Sequence, residues 1–348
     1  MGGGGTPRGT VLPVVLDAMG GDHGPAETVP AALAARREHG VPVILVGRGG
    51  ELRRLLRLHG GAAEVDVLDA DDVVPMAERG AGAAARPGSS LMIGCEVARR
   101  HGGAFVSAGS TGAVVTCAVR VLGRRAGVLR PALAVALPTL TGSTVLVDAG
   151  GTADPTAEML AQFALLGASY ARTVLGVADP SVGLLSIGSE PGKGNRLTRE
   201  AAGLLPDVPV RYHGNVEGHD VLAGTVDVVV TDGFTGNVVL KNIEGCVRTT
   251  LKLVARTGIA PTGRLEEVAR LYTADTHGGA ALLGLTGTVV VAHGSSTATA
   301  ITRACVVASG LAGGLAGGSA AGPPDGSAGG SAGGPAPVDR HPAVRTLP

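Results

Sequence analysis

The sequence predicts an α/β protein whose mainly parallel sheet is covered by helices on both faces. Three observations lead there. Short β-branched runs alternate with loops of small residues and helical stretches along most of the chain, the order produced by β-α-β units. Most of those runs are continuously apolar rather than alternating, so both faces of each strand should be buried. Hydrophobic residues make up 45% of the 348 and charged residues 17%, enough apolar material for one large core or two moderate ones.

In chain order the runs place strands at 11–17, 43–46, 65–68, 104–107, 133–137, 144–148, 182–187, 208–212, 226–231 and 288–292. Between them, 26–39, 156–175, 237–255 and 296–310 read as helices. The ends read differently. Residues 1–9 are a Gly-rich leader, and in 313–348 Gly, Ala, Ser and Pro fill 26 of 36 positions. Such segments bury too little to offset their ordering entropy, so both are expected to be disordered. The folded unit is expected at 10–312.

Charge and composition exclude several classes of function. The 29 basic residues cancel the 29 acidic ones, so the basic face that nucleic acid demands is missing. No apolar run approaches the roughly 18 residues of a membrane span. The opening MGGGGTPRG lacks the apolar block of a secretory signal. Cys95, Cys117, Cys246 and Cys305 lie far apart with no CxxC pair, so neither zinc nor disulfides are expected. They read as small buried residues in a reducing cytoplasm. The nine histidines are dispersed and no HExxH occurs, so no metal and no cofactor are expected.

One compositional signal is sharper. The chain has three lysines (Lys193, Lys241, Lys252) and four asparagines (Asn195, Asn215, Asn237, Asn242), and six of these seven lie between 193 and 242. A chain that otherwise uses Arg keeps Lys here, where a planar guanidinium is no substitute for a compact ammonium.

In open α/β sheets, ligands sit in the loops after the strands. Those loops are LDAMGGDHGP (16–25), SAGSTGA (107–113), VDAGGTAD (147–154), SIGSEPGKGN (186–195), VTDGFTGN (230–237) and AHGSSTA (292–298). All are Gly-rich, and several run straight into helices, where backbone N–H groups and the helix dipole favour an anion. Six such loops, expected at one edge of one sheet, point to a phosphate-bearing ligand. Familiar phosphate motifs fail: Gly188, Gly192 and Lys193 are one residue short of a P-loop, and Gly194 stands where its Ser/Thr belongs. No GxGxxG follows a strand, and AHGSSTA is not a GxSxG elbow.

Taken together, LDAMGGDHGP, SAGSTGA, the KGN of 193–195, TDGFTGNVVLKNIEG (231–245) and LLGLTGTVVVAHGSS (282–296) closely resemble the bacterial phosphate acyltransferase (PlsX) family, in the same order over about 14–308. The resemblance implies a three-layer α/β/α fold of the isopropylmalate-dehydrogenase type and a homodimer. It implies acyl transfer from acyl carrier protein to inorganic phosphate, giving an acyl phosphate for phospholipid synthesis. It also implies a cytoplasmic protein that reaches the membrane, if at all, through a glycerol-3-phosphate acyltransferase partner.

Phosphate is itself the nucleophile, so the protein need only position it, stabilise the oxyanion and help the thiolate leave. Lys193 is the candidate point charge and Asn237 the candidate oxyanion donor. His23 and His293 are candidate acids toward the thiolate. Asp232 is the candidate orienting carboxylate, and Asp17 is a further one. Phosphate and substrate contacts are expected from Gly20, Gly21, Asp22, Ser110, Thr111, Gly112, Asp148, Asp154, Gly194, Asn195, Gly236 and Ser295. Each Asp reads equally well as a cap or turn residue, and each His as a loop-fixing one.

The chain departs from the family pattern at several points. Ser110 replaces an Asn, Gly151 and Thr152 replace Ala-Asn, and Ser189 replaces a larger polar residue. The stretch 254–278 is short and polar, with at most a brief helix at 264–272, too small for stable anchoring on a bilayer. Arg120, Arg124, Arg125 and Arg130 form one cluster suited to an acidic carrier protein, and read equally well as a solvated helix end. A phosphotransacetylase-like enzyme using coenzyme A, and a non-catalytic acyl- or nucleotide-binding regulator, remain the alternatives.

Overall fold

A computed structural model describes residues 12–317, apart from 79, 141, 259–262, 264, 266–267, 269–271 and 273–277. The leader and most of the Gly-rich tail lie outside the described residues, as does most of the brief helix expected at 264–272. The strands are β1 (Val14–Asp17), β2 (Val43–Gly47), β3 (Asp66–Asp69), β4 (Ala104–Ser107), β5 (Ala132–Pro138), β6 (Ser143–Val147), β7 (Ser181–Leu185), β8 (Arg211–Val216), β9 (Val228–Val230), β10 (Ala280–Leu283) and β11 (Thr288–Val291). The helices are α1 (Pro25–His39), α2 (Gly49–Leu58), α3 (Gly80–Ala84), α4 (Ser90–His101), α5 (Thr111–Val121), α6 (Ala157–Tyr170), α7 (Arg196–Leu204), α8 (Asp220–Ala223), α9 (Gly233–Thr257) and α10 (Ala298–Gly317).

Among the described residues eleven strands form one sheet, in the order β3-β2-β1-β4-β11-β10-β5-β6-β9-β7-β8. The continuous apolar runs divide between its faces. In β1, Val15 joins one apolar cluster while Val14 and Leu16 join another, which is why no polar alternation is visible in the sequence. One cluster lies under α3, α4, α5 and α9. On the other face α1, α2 and α10 cover one half of the sheet, and α6 and α7 the other. The result is the expected three-layer α/β/α architecture. Among the described residues no helix is long and apolar enough to cross a membrane. Cys95, Cys117 and Cys305 are buried as expected, whereas Cys246 is exposed on α9, and burial pushes the Cys117 thiol up to about 11 and the Cys305 thiol up to about 12.

Two features differ from the sequence reading. First, β10 is an eleventh strand. Its Ala-Ala-Leu-Leu lies between Gly279 and Gly284, both with positive φ, and carries no β-branched signal. Second, the strands do not all run the same way. β10 is antiparallel to both β11 and β5, and β5 is antiparallel to β6. Strands β1, β4 and β11 therefore end at one edge of the sheet, and β6, β7 and β9 at the opposite edge. The six Gly-rich loops form two sets of three rather than one row.

The helices also go beyond the four expected. α5 has β-branched residues at Thr111, Val114, Val115, Thr116, Val119 and Val121, a composition that reads as strand until packing decides otherwise. α9 starts four residues earlier than expected, at Gly233, because Asp232 caps it. α10 continues to Gly317, five residues into the expected tail.

Candidate active site

The first set of loops is locked together by short backbone approaches. The Asp22 N–H donates to the Gly294 carbonyl at 2.7 Å. A Cβ on Gly20 would lie 2.7 Å from Asp17 Oδ2 and 2.8 Å from the Gly109 nitrogen, so only Gly lets the three loops close. Beneath them Asp17 is buried, accepting from Ser107 Oγ at 2.7 Å and from the Met19 N–H at 3.1 Å. Burial nevertheless raises its carboxyl above the ordinary value of 3.8. The native state then binds more protons than the unfolded chain in the interval above 3.8, so this group's contribution to stability falls as pH rises through that interval. Urea unfolding should show wild type losing stability relative to Asp17→Asn as pH rises above about 4. A difference independent of pH would rule this out.

From this set Thr111 and His293 reach a cleft on the α5/α9 face of the sheet. The cavity is about 260 Å³, floored by Leu133, Val135, Ala280 and Val291. Thr111 begins α5, whose N-cap residue Ser110 makes no side-chain capping hydrogen bond. That leaves the α5 N-terminus suited to an anion. The Ser295 backbone N–H lies 3.3 Å from His293 Nδ1, and Ser295 Oγ lies 2.8 Å from it. A backbone N–H can only donate, so Nδ1 is the acceptor and the neutral ring carries its proton on Nε2.

The second set approaches from the opposite edge. Asp148 is fully buried at the end of β6. Its Oδ1 accepts from the N–H groups of Leu133 (2.9 Å), Gly150 (3.1 Å) and Gly151 (2.8 Å), and its Oδ2 from Thr152 (2.6 Å). Burial outweighs these bonds and raises its carboxyl. α9 packs directly on this loop: a Cβ on Gly236 would lie 1.9 Å from the Asp148 carbonyl oxygen. That seating brings Gly150 and Asn237 into the cleft. α9 then runs along its wall, adding Leu240, Lys241 and Glu244. Because β4 and β9 are oppositely directed, α5 and α9 enter the cleft from opposite edges, and an N-terminus stands near each end.

The remaining expected residues lie elsewhere. Gly194, Asn195 and Asp232 line a separate crevice of about 500 Å³ with Ser186, Ile187, Thr235 and Val239. Asn195 caps α7 by accepting from the Thr198 N–H at 2.9 Å. Asp232 caps α9, with Oδ1 accepting from the Thr235 N–H and Oδ2 from its hydroxyl, both at 2.7 Å. Lys193 is exposed on the loop beside this crevice and does not line the cleft. Asp154 lines a third depression with Arg196 and Glu200. His23, Asp22 and Gly112 are exposed. Of the arginine cluster, Arg124 holds the carbonyls of Val128 and Leu129, and Arg125 Nε donates to the Leu285 carbonyl at 3.0 Å. Lys241 and Glu244 line the cleft without having been placed there by the sequence reading. The signal for Lys241 was the scarcity of lysine, which does not distinguish it from Lys193, and Glu244 carried none.

Comparison with known proteins fits this geometry into a family. The family model described as fatty acid synthesis protein matches residues 12–314. A phosphate acyltransferase from Thermobifida fusca is 50% identical over 313 residues, covering 86% of this chain and 87% of that protein. The chain belongs to the bacterial phosphate acyltransferase family. It is therefore an acyltransferase of the family to which the phosphate acyltransferase of Pelobacter propionicus also belongs, 41% identical over 84% of this chain and 88% of that one. Among solved structures, a phosphotransacetylase from Streptococcus pyogenes aligns with TM-score 0.61 at 19% identity, over 88% of this chain and 96% of its own. At that identity the likeness establishes the shared fold.

Proposed function

We propose that the cleft transfers a fatty acyl group from acyl carrier protein to inorganic phosphate, releasing an acyl phosphate and the carrier thiol. The observation that carries this reading is the union of an apolar floor, fit for an acyl chain, with polar groups at both ends. Hydrogen phosphate sits at the open α5 N-terminus beside Thr111. One of its oxygens attacks the thioester carbonyl carbon, and the carbonyl oxygen gains charge against the Asn237 amide. Collapse breaks the C–S bond. The proton lost by phosphate passes to the His293 ring, and the resulting imidazolium gives its Nε2 proton to the thiolate and returns to neutral imidazole, so atoms and charge balance. Positioning and preorganised dipoles supply the catalysis. The chain acts as a homodimer, and the acyl phosphate passes to a membrane glycerol-3-phosphate acyltransferase.

The test supplies purified protein with labelled phosphate and either a long-chain acyl-carrier-protein thioester or a coenzyme A thioester. Label should enter a hydroxylamine-sensitive acyl phosphate with the carrier-protein donor. Turnover confined to short-chain coenzyme A thioesters would replace this reading with a phosphotransacetylase-like one. Turnover with neither donor would make the cleft a binding site only.

A further inference from the structure

Asn237, Lys241 and Glu244 stand at i, i+4 and i+7 on α9, so they share one side of the helix. That side lines the cleft, whereas Asp232, Thr235 and Val239 line the separate crevice bordered by the Lys193 loop. Among the described residues lining the cleft, Lys241 is the one lysine or arginine. Its Nζ lies 3.0 Å from Glu244 Oε2, with the lysine side chain 44% exposed and the glutamate 15%. A nearly buried carboxylate anchors a half-exposed ammonium. An ammonium has three donors, and Glu244 uses one. Lys241 lies one turn along α9 from Asn237, about 6 Å, on the way toward the end of the cleft where Thr111 and His293 meet. A dianion between the α5 N-terminus and a carbonyl held by Asn237 would meet this cation. The chain spends one of its three lysines here, where a compact charge suits phosphate at close quarters.

We propose that Lys241, rather than Lys193, supplies the positive charge that holds phosphate in the cleft. Glu244 is the positioning residue that keeps the ammonium over it. This inference rests on the acyl-transfer reading for its meaning, but phosphate binding can be measured without turnover. Calorimetric titration of the full chain with inorganic phosphate should show affinity weakened about 10- to 100-fold in both Lys241→Met and Lys241→Gln, the range expected for a hydrogen bond to a charged group. Melting temperatures should stay at the wild-type value. Glu244→Gln should weaken phosphate binding less, Glu244→Asp should recover part of the loss, and ethylammonium should partly rescue Lys241→Gln. In steady-state assays the same variants should raise the phosphate KM and leave the thioester KM unchanged. Undiminished phosphate affinity in both Lys241 variants would overturn the assignment, as would a larger loss in Lys193→Met or a wild-type chain that binds no phosphate. If binding behaves as expected but wild type makes no acyl phosphate, the cation site stands and the acyl-transfer reading falls.

Discussion

Asp148→Ala should cost on the order of 3–5 kcal/mol of stability and abolish most activity, because it strands four backbone N–H groups at once. Two opposing effects meet at this residue. Burial raises the Asp148 carboxyl, so removing the charge relieves a desolvation cost. Against that, each N–H left unpaired in a buried setting costs about 1–3 kcal/mol. The Leu133 N–H belongs to β5, and those of Gly150, Gly151 and Thr152 to the loop between β6 and α6 on which α9 packs. The hydrogen bonds win, because alanine offers no acceptor and the loop closes too tightly on Gly236 to move aside. Asp148→Asn separates the two effects. It removes the charge and keeps one oxygen for the three donors on Oδ1, leaving only Thr152 opposite an amide that cannot accept. A loss of about 1–2 kcal/mol is expected there. Urea unfolding at neutral pH measures both. An alanine variant as stable as wild type would show that the loop rearranges around the gap. An asparagine variant as damaged as alanine would show that the charge itself is required.

The layers of this fold were legible in the sequence, whereas the direction of half its strands was not. Runs such as Val228–Val230 announce a buried strand because each residue faces a covered side. Nothing local announces polarity. The reversal comes from the antiparallel β5–β6 pair, because β10, antiparallel to both β11 and β5, leaves those two strands pointing the same way. Reading β5 and β6 as parallel put all six loops on one edge. The same gap misplaced part of the site. Gly-rich loops mark where backbone approaches backbone, and Gly20 and Gly236 do so for packing reasons alone. Asp232 and Asn195 carry the residue types of a polar site and serve as helix caps. Thr111, Asn237 and His293 were read from motifs and do meet in one cleft. Lys241 emerged only when α9 was seen to divide its two sides between two cavities.

His293→Asn should lower kcat about 10²- to 10³-fold if Nε2–H protonates the departing thiolate, the usual worth of a positioned general acid. The fold should be spared. His293 is exposed in its loop, and its ring interactions are local, through Nδ1 to Ser295. Asparagine can still face Ser295 but has no group where Nε2 stood, so the variant removes the proton donor and little else. KM values for both substrates should change less than kcat, because the donor acts mainly as the C–S bond breaks. The leaving group provides the deciding comparison. A thiolate of lower basicity needs less protonation, so an aryl thioester should narrow the gap between His293→Asn and wild type. A deficit of equal size with alkyl and aryl thioesters would mean that His293 orients the substrate instead. Full activity in the variant would leave proton delivery to solvent through the open side of the cleft, with Asn237 and the α5 N-terminus as the remaining polar groups around the reacting carbonyl.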